Sequence, residues 1–129
     1  MAETQSSGGS GLPDNLAGAL SYFLGALTGI LFFIIDRQRP FVRFHAAQAI
    51  VATIAWVIIS VGLMVLSIVL AVIPLIGWLI STLLYAIMGL GGFALWLWLM
   101  WQAYQGKKYE LPIVGPYAVR LAAEAGGTA

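Results

Sequence analysis

Arg43, His45 and Gln48 are the residues of this chain whose types and spacing come nearest to chemistry. His45 and Gln48 are three apart and share one face of a helix, with Arg43 just before them at the edge of a long apolar run. An ionisable group in such a setting is a candidate functional site. Two roles fit it. Arg43 at a helix entrance can lay its stem along apolar surface and carry its guanidinium to lipid phosphates, which makes the group a structural and headgroup anchor. Alternatively, the group docks another protein or the chain's own C-terminal tail. A position at the helix entrance argues against a proton relay.

Other chemistry finds little support. Hydrolysis within a membrane needs a serine with a histidine or lysine base, a pair of aspartates, or a metal cluster. Here there is one histidine, no cysteine, and no Asp or Glu between Arg43 and Lys107. The absence of cysteine excludes disulfides, thiolate metal sites and cysteine nucleophiles. An ion-coupled transporter would carry a buried charge or inverted repeats, and neither is visible. The expectation is a protein without enzymatic activity, cofactor or metal. A net charge of +1 also lacks the strongly basic footprint of a nucleic-acid binder.

The elements that must position these residues are set by hydropathy. Of the 129 residues, 61% are hydrophobic and only 9% charged, against roughly 25% charged in soluble domains. Mean hydropathy is +0.96. The solvent for residues 44–106 is therefore lipid. The pattern predicts an all-α, polytopic membrane protein: a bundle of three transmembrane helices over about 16–35, 44–73 and 75–104. Twenty residues make about 30 Å of helix, the thickness of the hydrocarbon core. Pro40 suits the first turn of the second helix, whose start lies between Phe41 and Phe44, and Pro74-Leu75-Ile76-Gly77 marks a turn. A fourth crossing would require a break near Gly89-Leu90-Gly91-Gly92, leaving two short halves, so three is preferred.

Residues 1–15, rich in Ser and Gly, are expected to be disordered. Residues 105–129 form a tail in which 116–125 can make a short surface helix. All six basic residues fall either between the first two helices or after the third. The positive-inside tendency puts both places in the cytoplasm, with the N-terminus outside. The N-terminus carries Glu3 and Asp14 rather than a basic leader region, so the first apolar segment reads as a retained anchor. The setting is a multi-pass protein of a prokaryotic plasma membrane.

Small residues supply packing faces. Gly25 and Gly29 form a GxxxG spacing, extended by Gly18 and Ser21, and Thr82, Ala86 and Gly89 make a similar track on the third helix. Such faces let helix backbones approach closely, either inside the monomer or against a second copy or another membrane protein. Trp78, Trp98, Trp101 and Tyr104 are expected as interfacial aromatic anchors, in contact with membrane lipids. Trp56 and Trp96 lie deeper and are expected to pack.

The run Phe23-Leu24-Gly25-Ala26-Leu27-Thr28-Gly29-Ile30, the run Phe41-Val42-Arg43-Phe44-His45-Ala46-Ala47-Gln48-Ala49-Ile50, the turn Pro74 to Trp78, and the segment Ala103-Tyr104-Gln105-Gly106-Lys107-Lys108-Tyr109-Glu110-Leu111-Pro112-Ile113-Val114-Gly115 carry a resemblance. Together they look like a family of small prokaryotic membrane proteins similar to the smaller channel-candidate subunit of the chloroplast inner-envelope protein-import translocon. The resemblance covers roughly Leu16 to Ala123. It implies a translocon- or channel-like component, with four helices in the plastid relatives against three here. Arg43, His45 and Gln48 begin helix two on the side where residues 104–115 leave helix three. Tyr109, Leu111 and Pro112 are therefore expected to fold back near Arg43 and His45. The function expected first is a small helix-packing subunit or assembly factor of a membrane complex. An oligomeric channel- or translocon-like component is the alternative, and lipid or hydrophobic-ligand binding a third reading.

Overall fold

Prolines open both of the long helices. Pro40 and Pro74 each stand at the first helical position, where a missing N–H removes no bond and a fixed φ suits the helix. The computed structural model describes residues 9–125. Among them the regular elements are α1 (Asp14–Leu20), α2 (Ala26–Ile35), α3 (Pro40–Leu70), α4 (Pro74–Tyr104) and α5 (Gly115–Ala125). The helices α3 and α4 have 31 residues each, about 46 Å at 1.5 Å per residue. They are the two helices among the described residues long and apolar enough to cross a membrane. They form a hairpin whose tight turn is Ala71–Ile73, just before the prolyl signal seen in the sequence.

The single helix expected over 16–35 is not present. The chain leaves helical geometry between Ser21 and Gly25, and Gly25 has φ 62° and ψ −124°. These angles match the first central position of a type II′ turn, which only glycine adopts without strain. Several of the freed backbone groups are answered by side chains, one near in sequence and one distant. Thr28 Oγ1 accepts from the Leu24 N–H at 3.0 Å and donates to the Ser21 carbonyl at 3.0 Å. The Trp96 indole N–H donates to the carbonyls of Tyr22 (2.7 Å) and Phe23 (3.2 Å).

Residues 9–36 run out along α3 and return to its start. The turn at Gly25 lies beside Thr53, about 20 Å along α3 from Pro40. At the other end the Gly9 N–H donates to the Ile35 carbonyl at 3.2 Å, and Ser10 bonds to Asp36 through its N–H (3.0 Å) and its hydroxyl (2.5 Å). This corrects one expectation. Residues 9–15 are ordered, because buried Asp36 and Arg39 need the partners that Ser10, Leu12 and Asp14 supply; residues 1–8 lie outside the described residues. The start of the described chain sits beside Asp36 and Arg39.

Packing is concentrated at this end of the hairpin. Tyr22, Ala49, Leu99 and Ala103 share one buried cluster, and Ala17, Phe32, Val42 and Ala46 another. The amphipathic helix α5 places Ala118 and Ala122 against Phe44 and Ala47. Beyond Thr53 on α3 and before Trp96 on α4, most side chains are exposed.

Candidate functional site

The first turns of α3 place His45 and Gln48 one above the other, and both are fully buried. Opposite them, the interrupted first segment presents Tyr22. The Tyr22 hydroxyl lies 2.7 Å from His45 Nδ1, and Gln48 Nε2 donates to the same hydroxyl at 2.7 Å. The C-terminal segment then crosses this group and bonds to it through backbone atoms alone. His45 Nε2 is 2.8 Å from the Lys107 carbonyl, Gln48 Nε2 is 2.8 Å from the Tyr109 carbonyl, and the Leu111 N–H donates to Gln48 Oε1 at 3.0 Å.

The partners assign the histidine tautomer. A carbonyl only accepts, so Nε2 carries the proton toward Lys107, and Nδ1 accepts from the Tyr22 hydroxyl. That hydroxyl in turn accepts from Gln48. Both ring nitrogens of His45, both N–H groups of Gln48 and its carbonyl are thereby used within the chain. Phe41, Phe44 and Tyr22 meet the imidazole edge-on at centroid distances of 4.6, 5.0 and 5.4 Å. A group so completely partnered acts as a clamp on the C-terminal segment.

Arg43 separates from the other two. Its side chain is half-buried and one of its terminal nitrogens donates to the Arg37 carbonyl at 2.6 Å, while Nε is buried without a partner. It borders a cavity of about 240 Å³ together with Lys108, Glu110 and the apolar side of α5. Tyr109 is partly exposed and its ring stands edge-on to Trp98 at 6.1 Å, whereas Leu111 is buried and Pro112 is exposed. The structure thus brings Tyr109 and Leu111 to Gln48 by their backbone, and Pro112 stays outside.

A second polar node, around Arg39, escaped the sequence reading. Arg39 is 4% exposed and lies 2.5 Å from Asp14 and 3.3 Å from Asp36, which is itself fully buried. It also bonds to the Leu12 carbonyl and to Ser10 Oγ. Asp14 and the 36–39 segment read in the sequence only as charges flanking an apolar run. The available signal was the sign balance: acids at both ends of that run, with one arginine able to pair with both.

The small residues expected on one helix face are divided by the turn. Gly18 faces Phe41, His45 and Ala103; Gly29 faces α3, where an added Cβ would stand 3.1 Å from the Ala46 carbonyl. Ser21 is buried and bonds to the Ala17 carbonyl at 2.9 Å, and Gly25 forms the turn itself. Thr82, Ala86 and Gly89 do not meet them. All three are exposed, and an added Cβ on Gly89 would meet open space. Trp78, Trp98, Trp101 and Tyr104 are all about half exposed or more on the outer surface of α4.

Residues 11–118 match the magnetosome magnetite crystal formation protein family. A UPF0132 membrane protein of Methanocaldococcus jannaschii is 45% identical over 84% of this chain and 87% of its own length. One from Archaeoglobus fulgidus is 42% identical over 83% of this chain and 93% of its own. A second from Methanocaldococcus jannaschii is 34% identical over 85% of this chain and 71% of its own. No solved structure matches. These names agree with the small prokaryotic membrane family seen in the sequence motifs, and none of them links the chain to a plastid import translocon, so that part of the resemblance is not supported.

Proposed function

This chain belongs to the magnetosome magnetite crystal formation protein family, and from that premise we propose that it is a non-enzymatic membrane subunit that organises other membrane proteins by helix packing. One observation carries the reading. The monomer completes its own packing at one end of the α3–α4 hairpin and leaves the other half of both helices open. Thr82, Ala86 and Gly89 line part of that open half at positions i, i+4 and i+7, where a partner helix can approach the backbone closely. The family's name speaks of magnetite crystal formation in magnetosomes, whereas the archaeal relatives are named as membrane proteins. The proposal keeps to what this chain's own structure supports, a membrane-embedded helical unit.

In this reading α3 and α4 cross the membrane and residues 9–36 form a re-entrant hairpin. Arg37, Arg39, Arg43, Lys107, Lys108 and Arg120 then lie toward one side, which the positive-inside tendency makes the cytoplasm, and the described N- and C-terminal segments share it. Photo-crosslinkers at Ala86 and Gly89 test the proposal, with Ala47, buried within the monomer, as the silent control. Tagged protein at native expression should capture a discrete set of other membrane proteins from the first two positions and nothing from the third. Self-crosslinks alone, in an oligomer of fixed size, would favour a channel-like assembly instead. Crosslinks to lipid alone would refute the subunit role.

A further inference from the structure

The clamp on the C-terminal segment has a consequence at the surface. By holding the carbonyls of Lys107 and Tyr109, it sets Lys108 beside the start of α3, on the same cavity as Arg43, although the two are far apart in sequence. Both cations border the 240 Å³ cavity, against a single carboxylate, Glu110. Neither Arg43 nor Lys108 is in an ion pair among the described residues. The Lys108 ammonium lies 5.7 Å from the centroid of the Phe44 ring, and the Nε of Arg43 is buried with no acceptor.

Two further features favour an anion. The cavity borders Pro40, the first residue of a 31-residue helix, so the helix dipole adds positive potential. Its opposite wall is apolar, made by Val119 and Ala122 of α5. A cationic floor with an apolar wall, at the end of a membrane-crossing helix, matches a group that is charged at one end and apolar at the other.

We propose that the cavity between the start of α3, the 107–110 segment and α5 is a binding site for the phosphate of an anionic phospholipid headgroup, held by Arg43 and Lys108. A phosphate takes charge-assisted hydrogen bonds from a guanidinium and a point charge from a lysine. The site does not depend on the helix-packing role proposed above. That role could fail at Ala86 and Gly89 while this one stands.

The test uses the full chain purified in mild detergent, with native mass spectrometry to count retained lipid. Phosphatidylglycerol should be retained in preference to phosphatidylcholine. Arg43→Gln and Lys108→Gln should each lower that retention by about fivefold, the loss expected for one cation near a lipid surface. Arg43→Lys and Lys108→Arg should keep most of it, which separates loss of charge from loss of fold. Arg120→Gln, whose guanidinium stands over Tyr117 and outside the cavity, should have no effect. Equal retention of the two lipids, or equal losses in the Arg43, Lys108 and Arg120 variants, would overturn the proposal. So would saturable binding of inorganic phosphate that phosphatidylglycerol does not displace, since that outcome places a soluble anion in the cavity.

Discussion

Replacing Gln48 with leucine removes the centre of the clamp while nearly preserving its volume. Three hydrogen bonds are lost: to the Tyr22 hydroxyl, to the Tyr109 carbonyl and from the Leu111 N–H. Each contributes about 1 kcal/mol net, and two of the three reach the C-terminal segment, so that segment should lose about 2 kcal/mol of attachment. The loss does not grow much beyond this, because the segment can detach and satisfy its backbone in water. At 1.4 kcal/mol per factor of ten, the detached population should rise roughly thirtyfold. Amide hydrogen exchange reads this directly at Leu111, whose N–H is donated to Gln48 and to no other residue of the described chain. Its protection should fall by about thirtyfold in Gln48→Leu, while amides in the middle of α3 keep theirs. Tyr109→Phe serves as the control, since only the backbone carbonyl of Tyr109 enters the clamp. Unchanged protection at Leu111 in Gln48→Leu would refute the reasoning, because the segment would then be held by something other than this side chain.

The interrupted first segment supports further tests. Gly25→Ala forces a side chain into φ 62° and sets its Cβ 2.8 Å from Thr53 Oγ1; a loss of about 1–3 kcal/mol should appear in chemical unfolding in detergent, and an unchanged midpoint would deny the turn. Arg39→Met leaves the fully buried Asp36 without its cation, and a loss of about 3–5 kcal/mol should appear in the same measurement. Cysteine pairs at Ser10 and Gln38 should react with the same membrane-impermeant reagent from the same side; labelling from opposite sides would restore an N-terminus across the membrane.

Hydropathy and charge placement were enough to place the chain in a membrane, and Pro40 was enough to mark the start of α3, whereas Pro74, read as part of a turn, opens α4. Both signals are local: a long uncharged run has no other solvent, and a proline at the first helical position is favoured whatever surrounds it. A short helix over 116–125 was also expected, and α5 occupies Gly115–Ala125. Residues 16–35 show where this reasoning stops. They are apolar throughout, so hydropathy makes them a crossing helix, and Gly25 within a GxxxG spacing looks like a packing position. Whether a glycine continues a helix or turns the chain depends on partners that answer the freed backbone, and here these include Trp96, more than seventy residues away. The same holds for the site. The sequence alone made Arg43, His45 and Gln48 one polar group of unknown use. Tertiary structure divided it, burying His45 and Gln48 under a segment some sixty residues later and leaving Arg43 on a cavity that Lys108 also borders, because hydrogen bonds inside a lipid-facing fold must close on whatever backbone the chain brings to them.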